Sequence, residues 1–304
     1  MTPPTFGREE VLVGVLARDR RRVLTDLVVL TKPRVVLMVL VTTLVGYYVA
    51  LQGPADWLRV IHLVIGTSLA AGGTLALNQY RERDVDALMT RTRLRPLPDG
   101  RLMPLEALLF GTAITVFGIV YLAALVNASS ALCTAAITAL YLFVYTPMKL
   151  KTPLATLVGA VPGALPPVTG WVAARDDAGI GAAVLFGILF LWQLPHTLAI
   201  ARLYRDDYAR AGVRVLPVVD EHGSSTERQI MTGTVGLLGV SLLPTLIGLA
   251  GGVYFAGALV LGVVFIVAGA RQARTPSSAA ARWVLFASLL YLPVLLALLA
   301  FDKV

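Results

Sequence analysis

Nine long apolar runs, cut apart by short charged segments, constrain this chain more than any other feature. They occupy residues 35–51, 58–77, 105–126, 131–145, 154–174, 180–203, 230–250, 253–270 and 281–301. A helix built from such a run crosses the roughly 30 Å hydrocarbon layer of a bilayer, where each backbone amide must find its partner within the same segment. Helices of a soluble fold would instead carry polar residues at a 3.6-residue period. Charged residues make up only 14% of the 304, against about 25% in soluble domains. The sequence therefore reads as an all-α polytopic membrane protein, a single domain over residues 1–304 with nine transmembrane helices. A basic arm, residues 1–34, comes first, and its stretch 23–30 reads as a short amphipathic helix on the bilayer surface. No secretory signal is legible there: Arg and Asp interrupt residues 1–26, and the apolar stretch 11–16 is too short for an h-region.

A net charge of +8 would raise the question of nucleic acid in a soluble protein. Its distribution answers otherwise. Nine spans put the two termini on opposite sides. Of the 26 Lys and Arg residues, 23 then fall on one side, in the arm and in segments 79–102, 146–153, 202–228 and 271–282. Arg59, Arg175 and Lys303 are left on the other. This asymmetry places the N-terminus and the long loops in the cytoplasm and leaves no call for a nucleic-acid partner. The single cysteine, Cys133, excludes an intrachain disulfide and argues against a cysteine-built zinc site. Two loops of similar length follow the second and the sixth spans, which hints at a duplicated half of the kind that frames sites in membrane folds. No residue-level repeat accompanies it.

The first long loop opens with Asn78-Gln79-Tyr80-Arg81-Glu82-Arg83-Asp84-Val85-Asp86. Asn78, Glu82 and Asp86 are four apart, so on a helix they share one face over two turns. Three hard oxygen donors at the mouth of a membrane helix, with guanidinium groups just beyond, suit a magnesium–diphosphate. Asp206 and Asp207 form a second acidic patch in the other long loop. The expected metal ligands are thus Asn78, Glu82, Asp86, Asp206 and Asp207, with Asn78, Glu82, Asp86 and Asp207 carrying catalysis. Ordinary solvated charges paired with neighbouring arginines are the alternative, and it weighs more on Asp206 and Asp207 than on the regularly spaced set. Cations surround the same face. Arg91, Arg95, Lys149, Lys151 and Arg205 are the expected substrate contacts, Arg95 foremost because Pro96 holds it. Arg202, Arg210 and Arg214 lie nearby, and at least half of these cations serve only to fix topology.

Taken together, Asn78-xxx-Glu82-xxx-Asp86 and Arg91-Thr92-xx-Arg95-Pro96-Leu97 resemble the first acidic motif of the UbiA superfamily of intramembrane prenyltransferases. Other stretches resemble its haem-farnesylating subgroup: Trp192-Gln193-Leu194-Pro195-His196, Asp207-Tyr208-xx-Ala211-Gly212-xxx-Leu216-Pro217, Tyr145-Thr146, Thr152-Pro153, Gly163-Ala164-xx-Pro167-xx-Gly170-Trp171 and Thr31-Lys32-Pro33-Arg34. The resemblance runs from about residue 28 to the end of the loop after the sixth span and thins in the last three spans. It implies a UbiA-type bundle in the cell membrane with its site on cytoplasmic loops, Mg2+ as cofactor, and farnesyl diphosphate and haem b as substrates. The product would be haem O, with the haem A synthase or the oxidase assembly machinery as partners.

Aromatic faces would then steady a farnesyl cation: Tyr145 and Trp192 as substrate contacts, with Tyr80, Tyr141 and Trp171 at similar depth. His196 would contact haem, as an axial ligand of its iron. Its bland alternative is a hydrogen bond that holds the Pro-interrupted helix. Three positions depart from the pattern. Glu82 stands where Asp is usual, Ala155 where Asn is common and Thr197 where an aromatic residue is usual, which leaves room for an altered substrate preference. A quinone precursor as acceptor is the nearest alternative, and the stretch around His196 argues against it. A membrane transporter is the alternative of another class. Transporters place their charges at the midplane, whereas these acids sit at helix ends on one face.

Overall fold

The computed structural model describes residues 20–220 and 222–304; residues 1–19 of the basic arm and Glu221 lie outside it. Among the described residues, nine helices are long and apolar enough to cross a membrane. With the short helices between them, the elements in chain order are α1 (Arg20–Leu30), α2 (Pro33–Ala50), α3 (Trp57–Asp86), α4 (Pro104–Leu125), α5 (Ala128–Met148), α6 (Ala155–Arg175), α7 (Ile180–Leu203), α8 (Arg205–Arg210), α9 (Leu216–Val219), α10 (Ser224–Leu246), α11 (Gly252–Arg274) and α12 (Ser278–Phe301).

Local chemistry sets the starts. Pro33 and Pro104 occupy first-turn positions where a missing N–H costs nothing. Asp56, Asn127 and Ser277 cap α3, α5 and α12 by accepting the N–H of Arg59, Ser130 and Ala280. Two boundaries differ from hydropathy. The second span does not end at residue 77: α3 runs on to Asp86, carrying the whole acidic motif as helix. The loop expected over 204–228 is largely folded, as α8, α9 and the first turn of α10.

Two irregularities shape the interior. In α5, residues Leu140–Tyr145 form a π-turn, and Tyr141 O accepts from both the N–H and the hydroxyl of Thr146. Such wide turns commonly stand beside functional sites, because they re-aim side chains without ending the helix. In α6, the helix breaks at Leu165, ahead of Pro166 and Pro167. Its second half presses on α2 closely enough that a Cβ at Gly170 would lie 1.8 Å from Thr43 O, and one at Gly46 would lie 2.0 Å from Pro167 O. The missing side chains let the backbones meet. Gly170→Ala is expected to cost about 1–3 kcal/mol by overpacking, read as a lower melting temperature in detergent. A variant that melts with the wild type would show that α2 and α6 can part freely.

Helices α7, α10, α11 and α12 share the largest apolar cluster, centred on Leu185, Ile188, Tyr254, Phe265 and Tyr291. The stretch 23–30 is helical as expected, but α1 does more than float on lipid. Leu27 and Leu30 pack against Ala76, Leu97, Leu102 and Phe110, and Asp26 pairs with Arg101. Gln79 Nε2 donates to Leu30 O at 2.6 Å, closing the end of α1. This docking fixes where the next residue, Lys32, must go.

Candidate active site

The last three turns of α3 form one wall of a cavity of about 390 Å3. Asn78, Glu82 and Asp86 all face it, as their four-residue spacing on a continuous helix requires. Asn78 Nδ2 donates to Thr146 Oγ1 at 3.1 Å, which leaves the amide oxygen for a cation. Lys149 Nζ donates to Glu82 Oε1 at 2.6 Å and sits 4.4 Å from the centre of the Tyr145 ring. Arg95 Nη1 donates to Asp86 Oδ2 at 2.6 Å. Asp86 is only 1% exposed. The loop that returns Arg95 is pinned by Thr92 Oγ1, which donates to Asp86 O at 2.8 Å. Arg91 reaches the same cavity, and its Nη2 donates to Tyr208 Oη at 3.3 Å.

Lys32 enters from the opposite side. Its backbone is left-handed, with φ 51°, in the two-residue link between α1 and α2. A non-glycine residue in this region carries strain of roughly 1–3 kcal/mol, which persists where the surroundings dictate it. Here the docked α1 and the start of α2 at Pro33 dictate it, and the side chain lines the cavity. Burial, then the Arg95 guanidinium, push the Lys32 ammonium down to about 8, against the pull of Glu82. Below that cavity, an apolar cleft of about 170 Å3 runs between α2, α3, α5 and α6; Val39, Ala71, Leu75, Ile137 and Pro162 are among its walls. Tyr141 belongs to both spaces.

The sequence matches the UbiA prenyltransferase family over residues 39–292. The chain belongs to that family. A protoheme IX farnesyltransferase of Solibacter usitatus is 47% identical over 287 residues, covering 91% of this chain and 98% of that one. Proteins of the same name from Koribacter versatilis and Myxococcus xanthus are each 40% identical, across 92% and 93% of this chain and 94% and 96% of theirs. Among solved structures, one described as a digeranylgeranylglyceryl phosphate synthase superposes with a TM-score of 0.77 at 18% identity, covering 92% of this chain and 98% of that one. A UbiA homologue from Archaeoglobus fulgidus bound to GPP and Mg2+ gives 0.63 at 16% identity, over 90% and 99%. At such identities the likeness is one of fold.

Within this UbiA cavity the first acidic motif, Arg91, Arg95, Tyr145 and Lys149 come together. The second acidic patch does not join them. Asp207 turns aside: its carboxylate accepts the Arg91 N–H at 3.4 Å and pairs with Arg210. Against the loss of hydration that raises it, hydrogen bonds from Arg91 and Thr90 and the charge of Arg210 hold Asp207 below the usual carboxylate range. Asp206 opens onto an outer recess with Arg202, Arg205 and His222, and Arg205 Nε donates to Pro217 O at 2.8 Å. Lys151 is exposed and away from the cavity wall. Trp192 and His196 lie on the seam between α7 and α12, where both bond to Ser288. The physical reason is rotation. A residue two positions along a helix, or on a different short helix, points to another side, and spacing in sequence cannot report it.

Sequence reasoning did not single out Lys32, Tyr208 or Thr156 as cavity residues, and it ranked Tyr141 only as one aromatic among several. Lys-Pro at the threshold of a span was the one available signal for Lys32. All three departures from the family pattern, Glu82, Ala155 and Thr197, line this single cavity.

Among the described residues no three His, Cys, Asp or Glu side chains cluster as a self-sufficient metal site. Two carboxylates and one amide oxygen do fit Mg2+, which takes one or two carboxylates and completes its shell with substrate phosphate and water. Asn78, Glu82 and Asp86 would hold it. Lys32 makes a further forecast. A bound diphosphate favours its charged form, so the pKa rises on binding and affinity is full below pH 8. As pH climbs through about 8, a diphosphate ligand should bind progressively more weakly. Lys32→Met should remove that limb, and an unchanged pH profile in the variant would sink the assignment.

Proposed function

We propose that this UbiA member joins the farnesyl group of farnesyl diphosphate to a vinyl carbon of haem b, with addition of water, to give haem O at the cytoplasmic face of a cell membrane. The observation that carries the reaction type is one cavity in which Asn78, Glu82 and Asp86 face Lys32, Arg91, Arg95 and Lys149, with an apolar cleft directly adjoining through Tyr141. The acceptor is inferred from the relatives named above, which are 40–47% identical over most of the chain.

When bound, Mg2+ would neutralise diphosphate charge as a Lewis acid. The chain's own groups do the rest. Lys149 and Arg95, now held by Glu82 and Asp86 at 2.6 Å each, are poised to meet phosphate oxygens once those carboxylates turn to metal. Heterolysis of the allylic C–O bond leaves its electron pair on the diphosphate, where these cations stabilise the growing charge. The apolar cleft shelters the farnesyl cation from water, and the Tyr141 and Tyr145 rings, 5.3 Å apart, offer their faces to it. The vinyl π-pair forms the new C–C bond. Water then adds to the resulting haem-side cation and loses a proton, completing the hydroxyethylfarnesyl group.

Haem extracted from cells expressing the chain and weighed by mass spectrometry tests this. The expected product is heavier than haem b by one farnesyl group plus water, and it should vanish when purified protein is assayed without divalent metal. Unmodified haem from correctly inserted protein would refute the acceptor. Diphosphate release with a quinone precursor in its place would move the chain elsewhere in the family.

A further inference from the structure

We propose that the apolar cleft measures the prenyl chain: it ends blind at a layer of four threonines, which admits three isoprene units and rejects a fourth. The inference rests on the proposed function, in which this cleft receives the prenyl chain. Helices α2 and α6 start beside the active cavity and run away from it, whereas α3 and α5 run towards it. Thr43, Thr67, Thr134 and Thr169 are therefore the cleft residues farthest from the active cavity, one on each helix. All four are buried.

One turn beyond that layer, the same four helices supply Tyr47, Leu63, Ala131 and Ala173, which pack into one buried cluster with Leu122. The cleft stops there. Its floor has little room to recede, because Gly170 on α6 already meets the Thr43 carbonyl of α2 too closely for a Cβ.

The depth sets a length. Thr67 lies eleven residues before Asn78, the innermost of the three expected metal ligands, on α3. That separation is a rise of about 16 Å. An extended isoprene unit adds four carbon–carbon bonds, or about 5 Å. Three units, about 15 Å, reach the threonine layer, whereas four, about 20 Å, run into Leu63 and Tyr47. Two units leave the last stretch of apolar wall uncovered.

The hydroxyls of Thr43, Thr134 and Thr169 donate to carbonyls of their own helices, those of Val39, Ser130 and Leu165. Thr67 is the exception: its hydroxyl is buried and has no partner among the described residues. It is the floor residue whose replacement breaks no hydrogen bond.

Geranyl, farnesyl and geranylgeranyl diphosphates carry two, three and four units. Each is titrated with Mg2+ into purified full-length protein, and binding is read by calorimetry, so no acceptor is needed. Wild type should bind the farnesyl compound at least ~10-fold more tightly than either neighbour. Thr67→Phe, whose ring fills the space of the last unit, should reverse the order of farnesyl and geranyl. Leu63→Ala combined with Thr67→Ala opens the floor and should tighten geranylgeranyl binding at least ~10-fold. Thermal melts in detergent show which variants are folded, and the two variants push the preference in opposite directions, so either one suffices. A wild type that binds the four-unit chain as tightly as the three-unit one, or an unchanged order in a folded variant, overturns the proposal and leaves the proposed reaction intact. The expected order without any haem product sinks the acceptor and leaves the length assignment standing.

Discussion

Asp86→Asn is expected to cut prenyl transfer by about 10^2–10^3-fold while leaving the protein folded. The side chain keeps its size and still accepts from Arg95, so the wall of the cavity stands. What disappears is the negative charge that would share a divalent cation with the substrate. Asp84 is the internal control. It lies two residues earlier on the same helix, yet its side chain is 82% exposed and meets only Arg83, at 3.6 Å. Asp84→Asn should transfer as the wild type does. Steady-state rates at saturating metal, measured for both variants, decide the matter. Equal losses at the two positions would mean that the motif acts through bulk charge and not through a shaped site.

Arg95→Met should have the largest effect on stability. It strips the partner from a carboxylate whose side chain is 2% exposed. Leaving one member of a buried ion pair alone costs about 3–5 kcal/mol when the pair is dry. Arg95 itself is 24% exposed, so a loss of about 2–4 kcal/mol is expected here. Adding Asp86→Asn removes the stranded charge, and the double variant should regain most of that stability. Transfer should not return in the double variant, because the proposed metal ligand and the proposed phosphate contact are both gone. Thermal melts in detergent supply the double-mutant cycle. If the two changes simply add, Arg95 and Asp86 are neighbours without being partners.

Much of this was legible before any coordinates. Apolar blocks announced the nine crossings because lipid penalises every other arrangement of the backbone. The Asn78, Glu82, Asp86 spacing placed three donors on one wall because helical periodicity alone determines it. Hydropathy failed at the edges. It stopped the second span at residue 77, since polar residues look like loop, although hydrogen bonding carries α3 through Asp86. It also left 204–228 as loop, and so could not tell that Asp206 and Asp207 begin a short helix that turns Tyr208 to the cavity and both acids to other recesses. Lys32 was hidden for another reason: its direction follows from the docking of α1 on α3 and from a left-handed link, both tertiary facts. Ser288, 92 residues from His196, was beyond any local pattern.

The length of α3 has its own consequence. Its 30 residues rise about 45 Å, against a hydrocarbon layer of roughly 30 Å. The surplus must protrude, and the end that carries Glu82 and Asp86 is the polar one. The proposed bond breaking would thereby be stationed at the waterline, where a charged headgroup can arrive and its spent diphosphate can leave without ever being dragged through oil. Only the greasy tail is asked to dip below the surface.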